Sequence, residues 1–227
     1  MSYRYETHCH SAESSRCARA TAEDQVRFYL DQGFDGLFIT DHFLGGNTTA
    51  PAALSPRRQL EIFLRGYDRA REAGEKLGLK VFFGWEFAHL GCDFLTYGLS
   101  RQWLLENEGL EKMDIGAYLD YVRREGAYVV HAHPFREDFY IPYIQLLPRR
   151  VDAVEILNAN RKEFENRMAA LYAENYGLPA LAGSDNHHAA GQKRLCGIET
   201  EEPLQSEQDF IRLLRSGEYR IFDTAAI

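Results

Sequence analysis

Five short stretches of this chain carry side chains suited to holding cations. They are His8 and His10 in HCHS, Asp41 and His42 in ITDH, Glu86 in FGWEF, His131 and His133 in HAHPF, and Asp185 and His187 in SDNH. Imidazole nitrogens mixed with carboxylate oxygens, without cysteine, suit divalent ions such as Zn²⁺, Mn²⁺ or Fe²⁺. Glu86 ends an apolar run, where a lone carboxylate is costly unless it is paired or coordinates a metal. In an extended strand residues i and i+2 face the same side, so His8 and His10 form a pincer. His131 and His133 share that spacing, as do Asp185 and His187. The donors are too many for one four-coordinate ion, so two or three cations are expected, with Glu86 between them. Taken singly, each stretch has an ordinary explanation: a core histidine, a capped turn, a His-Pro turn, a Glu–Arg pair, a polar loop. Their recurrence at strand ends favours the metal reading.

The elements that must position these residues alternate along the chain. Strands are expected at 3–7, 34–40, 80–86, 92–99, 127–133, 151–158, 179–184 and in the short YRIF near the end. Between them, helical spacing covers 21–33, 55–77, 114–125, 139–147, the segment from Lys162 to Gly177, and 206–215. Thr21 is the expected N-cap of the first helix, with Asp24 at the third helical position and Gly33 past its end. Alternating β and α segments with short connections argue for a mostly parallel sheet covered by helices. About seven such units point to a closed barrel. In α/β barrels the C-terminal strand ends converge on one face, so residues far apart in sequence meet there.

Bulk properties bound the function. The 227 residues fit one domain, expected to span 1–227, with 45% apolar and 26% charged residues. With 26 basic and 34 acidic residues the net charge is −8, which argues against duplex nucleic acid or an anionic membrane as a partner. It leaves room for an anionic substrate, because bound cations reverse the local field. The four cysteines, Cys9, Cys17, Cys92 and Cys196, form no C-x-x-C pair and read as reduced thiols. MSYRYETHCH lacks the pattern of a secretory leader, and no apolar run reaches the ~20 residues of a membrane span, so a cytoplasmic location is expected.

With these motifs in view, the chain resembles the PHP (polymerase and histidinol phosphatase) family of metal-dependent phosphoesterases. HCHS, ITDH, GWE, HAHPF and SDNH occur in family order over residues 8–187. The resemblance implies a distorted (β/α)7 TIM-like barrel and hydrolysis of a phosphate ester by metal-activated water in a di- or trinuclear site of Mn, Fe or Zn. It implies that His8, His10, Glu86 and Asp185 hold a first metal, Glu86 and His133 a second, and His42 and His187 a third. Where many members carry a histidine in the strand after the glutamate, this chain has CDFLTYG, so Asp93 is expected in that role. Where many carry a further Asp or His after HCHS, it reads AESSRC, which leaves the third position short of a protein ligand. His131 is an extra histidine by this comparison, read as a ligand or as a group orienting one.

The expected substrate is a small phosphorylated molecule, with a nucleotide or short oligonucleotide among the candidates. Arg136 is expected to clamp phosphate oxygens, with Arg161, Lys193 and Arg194 as further candidates. His187, His131 and Asp185 are the candidates for protonating the leaving group. Loop 43–55 and the aromatic FYIPYI at 139–144 are expected to wall the pocket. Two other functions fit the motifs less well: a metal-dependent amidohydrolase, for which no lysine stands at a strand end, and a non-catalytic metal-binding PHP module.

Overall fold

In the computed structural model, which describes residues 2–226, the chain is a mixed α/β structure built on a nearly closed barrel. The elements follow in the order β1 (Tyr3–Cys9), α1 (Ala22–Asp31), β2 (Gly36–Ile39), α2 (Pro56–Phe63), α3 (Arg65–Leu77), β3 (Lys80–His89), β4 (Cys92–Tyr97) and α4 (Arg101–Glu106). Then come α5 (Ile115–Arg124), β5 (Tyr128–Ala132), β6 (Ala153–Asn158), α6 (Glu163–Tyr176), β7 (Ala180–Gly183), β8 (Cys196–Thr200), α7 (Glu207–Ser216) and β9 (Arg220–Asp223). The sheet order is β7-β6-β5-β4-β3-β2-β1-β8-β9.

Strands β1–β7 make the barrel, and its seam lies between β1 and the end of β7. There the His10 amide donates to the Asn186 carbonyl at 2.9 Å and the Asn186 amide to the His8 carbonyl at 3.2 Å. The Thr7 hydroxyl reinforces the seam by donating to the Ala182 carbonyl at 2.6 Å. Strands β8 and β9 extend the sheet beside the lower half of β1, where Tyr3 to Tyr5 pair antiparallel with Ile198 to Thr200.

The pairing departs from the expected parallel sheet at β4, which runs antiparallel to both β3 and β5. The cause is a two-residue hairpin: Leu90 and Gly91 both have positive φ, 52° and 88°, as a tight primed turn requires. The expected single helix over 55–77 is two helices broken at Leu64. The Ser14 hydroxyl donates to the Phe63 carbonyl, and the Gly66 amide donates to that same hydroxyl at 3.0 Å, so two groups of the helical ladder leave it. No helix forms over 139–147, where Pro142 removes a donor and disfavours helical backbone at the residue before it. The Thr21 and Asp24 capping box forms as expected.

Side chains fill the barrel in two tiers. At the lower end Tyr5, Phe38, Phe82 and Tyr97 pack against Phe210 and Ile211 of α7, which plugs that end. Outside, Trp85, Phe87, Phe94 and Val129 meet α4, α5 and α2, while Leu37 and Ile39 meet α1 and α3. The upper tier of the interior is polar and holds the residues described below. Between the helices and the barrel, the buried Trp85 indole donates to the Tyr118 hydroxyl at 2.7 Å, which lies 2.7 Å from the Thr96 hydroxyl. Substituting Tyr118→Phe leaves the indole N–H buried without an acceptor. Urea unfolding should show a loss of about 1–3 kcal/mol with an unchanged m-value.

Candidate metal centre

The barrel mouth gathers its donors from four strand ends and from within a fifth strand, β3, which runs on to His89. β1 delivers His8 and His10, the segment after β2 Asp41 and His42, β3 Glu86, β5 His133, and the turn after β7 Asp185 and His187. Two of these depend on unusual backbone. His133 has φ 27° and Asp185 φ 54°, so each breaks the strand's alternation and turns its side chain back over the mouth.

Glu86 is fully buried at the centre. Its Oε1 lies 3.1 Å from His133 Nε2 and 3.4 Å from His8 Nε2, and its Oε2 lies 2.6 Å from His42 Nδ1 and 3.6 Å from His10 Nε2. Asp185 Oδ1 lies 3.2 Å from His10 Nε2 and 3.5 Å from His8 Nε2. Three sets of donors approach one another within 4.8 Å: His8, His10 and Asp185; His8, Glu86 and His133; and His10, His42 and His187.

A second layer of groups turns these donors inward. Glu155 Oε1 holds His8 Nδ1 at 2.8 Å, and its Oε2 accepts from the His133 amide at 3.0 Å. The Ser15 hydroxyl lies 3.3 Å from His10 Nδ1, and the Asp185 carbonyl holds His187 Nδ1 at 2.8 Å. In His8, His10 and His187 the contact occupies Nδ1 and leaves Nε2 for the mouth, the arrangement by which metal-ligating imidazoles are oriented. Nε2 of His8 and Nε2 of His10 are buried without a hydrogen-bond partner, while His42 Nδ1 and Glu86 Oε2 face each other at 2.6 Å. Buried polar groups left unpaired are rare, and such nitrogens facing one point fit divalent cations.

Charge follows the same geometry. Burial alone would raise the Glu86 carboxyl, but His42, His8 and hydrogen bonds from His133 and His42 hold it well below the usual carboxylate range. Asp185 is held low in the same way by His8, His10, His187 and His133 against its burial. Asp93 goes up, because burial and then the Glu86 charge outweigh Arg136.

Asp93 enters the mouth, yet Arg136 Nη2 holds its Oδ2 at 2.8 Å while His133 Nε2 is 3.9 Å away. His8 is therefore the residue that stands with Glu86 and His133. His131 lies outside the cluster. It is fully buried on the other face of β5, stacked 4.8 Å from Phe94 and edge-on to Tyr172, with neither ring nitrogen hydrogen-bonded. The shared i, i+2 facing fails because His133 lies past the strand end with positive φ. Burial lowers the His131 pKa to about 3, and His133 adds to the effect, so the ring is a neutral packing group. Its expected roles as ligand and proton donor have no geometric basis.

Asp41 accepts from the Ser11 amide and from the Ser11 and Ser15 hydroxyls, each at 2.7 Å, and so fastens the loops around His10 and His42. A cleft of about 450 Å³ opens over the cluster, lined in part by Arg136, Tyr140, Arg161, Asn47 and Cys17. Arg194 instead pairs with Asp223 at 2.7 Å, and Lys193 is solvent-exposed; neither lines this cleft. Glu155 and Cys17 were not singled out from the sequence. Glu155 carries the signal that drew attention to Glu86, an acid inside the apolar strand VDAVEILN.

Removing the Glu155 charge should loosen the His8 imidazole without touching the cations directly. Glu155→Gln is expected to weaken Zn²⁺ or Mn²⁺ affinity roughly 10–100-fold, read by competition against a chromophoric chelator.

Comparison with known proteins agrees with this architecture. A family model described as PHP-associated matches residues 163–219. No curated protein sequence matches. The fold is similar to that of a two-domain Bacteroides vulgatus protein described as containing a predicted PHP-like metal-dependent phosphoesterase. The TM-score is 0.73 at 18% identity, over 98% of this chain and 65% of that one. This chain thus spans just under two thirds of that protein. A putative metal-dependent phosphoesterase from Bifidobacterium adolescentis gives 0.54 at 14% identity over 94% and 96% of the two chains. An amidohydrolase from Chromobacterium violaceum, with sulfate bound, gives 0.54 at 15% over 96% and 97%. The match over 163–219 and the shared barrel thus make this chain similar in fold to PHP-like proteins.

Proposed function

We propose that this chain is a metal-dependent hydrolase, and more narrowly a phosphoesterase that cleaves a small phosphate ester at a di- or trinuclear site. The observation that carries this is the ring of imidazole nitrogens, those of His8 and His10 unpaired, around the ionised Glu86 and Asp185, roofed on one side by two arginines. Imidazole and carboxylate donors fit Zn²⁺, Mn²⁺ or Fe²⁺. Bound, such cations would supply Lewis-acid charge neutralisation and an activated water.

The rest of the work belongs to the chain. Arg161 lines the cleft and makes no ion pair among the described residues, and its Nε is buried and unpartnered, so its guanidinium is free to take phosphate oxygens. Arg136 divides itself between Asp93 at 2.8 Å and the Tyr140 ring at 5.8 Å, which fixes its charge at the cleft wall. Asp185, ionised and wedged among histidines, serves as a ligand and not as an acid. With Nδ1 committed to the Asp185 carbonyl, His187 offers only Nε2, either to a cation or to a leaving-group oxygen. Tyr140 lines the cleft where an organic leaving group would emerge, with the exposed Phe139 edge-on to it at 5.4 Å, which suits an aromatic or nucleoside moiety.

The first test is turnover of a panel of phosphomonoesters, phosphodiesters and amides by protein reconstituted with Mn²⁺ or Zn²⁺, with Asp185→Asn beside it. Asparagine tolerates positive φ, so the variant should melt like the wild-type apoprotein while losing metal and turnover. Turnover of amides alone would move the assignment to C–N hydrolysis, and none on any substrate would leave a metal-binding module. Arg161→Ala should lower kcat/KM for the active ester by about 10–100-fold, with cation stoichiometry unchanged.

A further inference from the structure

The third position of the centre, His42 with His187, lacks a further Asp or His from AESSRC, whose one acid, Glu13, instead accepts from the Ala22 amide at 2.9 Å. In the structure that stretch ends at Cys17, whose Sγ lies 3.1 Å from His42 Nε2, and Cys17, His42 and His187 line the same cleft. The thiol is held there by its neighbours. The Arg16 amide donates to the Asn47 carbonyl at 2.9 Å, and the Arg19 amide to the His187 carbonyl at 2.8 Å. These bonds tie both flanks of the cysteine to the segments that carry the two histidines. His10 stacks over both rings, with centroids 4.4 Å from His42 and 4.2 Å from His187. The other three thiols are elsewhere. Cys9 packs with Val26 and Tyr29, Cys92 donates to the Gln145 carbonyl, and Cys196 lies by Asp223.

We propose that Cys17 is the missing protein ligand, binding as a thiolate the same cation that His42 and His187 hold. The inference rests on the metal reading of the site and adds to it a sulfur donor. Two donors on one tetrahedral zinc stand about 3.5 Å apart, given Zn–S of about 2.3 Å and Zn–N of about 2.0 Å, so the observed 3.1 Å needs only a slight opening. Binding releases the thiol proton to solvent as the S–metal bond forms. A thiolate with two imidazoles is softer than the carboxylate-rich part of the centre, so this position selects Zn²⁺ over Mn²⁺.

The test is a Co²⁺ titration of the apoprotein followed in the near ultraviolet, where a thiolate–cobalt bond gives a charge-transfer band. Bound cations per chain are counted by elemental analysis, and Cys17→Ser is run in parallel. Wild type should show the band, and the serine variant should lose the band and one cation per chain while keeping the others. Zn²⁺ should also slow alkylation of Cys17 by iodoacetamide. Cation binding without a band, a band that persists in Cys17→Ser, or alkylation equally fast with and without Zn²⁺ would overturn the sulfur ligand and leave the metal centre standing. Failure to bind any cation would remove both.

Discussion

Everything at the barrel mouth follows from one costly arrangement, the burial of Glu86 with no exposed atom to share its charge with water. Asp93, Glu155 and Asp185 are buried close by, and Arg136 is the one guanidinium that pairs with any of these acids among the described residues. Carboxylates this dense repel one another and resist desolvation, so cationic partners must be supplied. Imidazoles provide part of that positive charge when protonated, but their unpaired nitrogens indicate that protons are not the intended counter-charge. A divalent cation satisfies both the acids and the bare nitrogens, and it makes the cluster an ordinary buried centre instead of an unstable one.

The barrel is shaped to keep this arrangement rigid. Glu155 spans two ligands by holding the His8 ring and the His133 amide, so a single carboxylate couples β1 to β5 through β6. Close packing leaves no slack: a Cβ on Gly183 would stand 2.5 Å from the His8 Cβ. Asp41 and Ser14 do the same for the loops. Ser14 breaks a helix to take two of its backbone groups, and the resulting bend brings Gly66 against the Ser11 and Asp41 side chains that fasten His10 and His42. Local rules are broken at His133, Asp185 and the α2–α3 junction, the places where a ligand had to be aimed.

How much of this was legible follows from whether the signal was local. The five donor stretches, the Thr21 cap and the strand–helix alternation are written in neighbouring residues, and from them came the barrel and the cluster. His131 misled because the i, i+2 rule holds only inside a strand, and nothing in HAHPF announces that the strand stops before His133. The antiparallel β4 rests on Leu90 adopting a backbone that leucine rarely takes, so Gly91 is the turn's single sequence mark. Asp93 sits where a ligand was wanted, but its capture by Arg136 is a contact across 43 positions that spacing cannot reveal. Pro142, by contrast, was a visible breaker that the apolar spacing of 139–147 outweighed.

The seam between β1 and β7 has a consequence for how the molecule comes into being. It joins His8 and His10 to Asn186, and hence to Asp185, partners separated by most of the chain. Closing so long a loop has a large entropic cost that only the finished barrel offsets, so contacts of this separation form late. The histidine pair is thus present early in any partly folded chain, yet it lacks the acid that completes it until the last barrel strand docks. Cation capture is in this way coupled to completion of the fold, and a captured ion would act as a clasp across the seam, holding the first strand to the last.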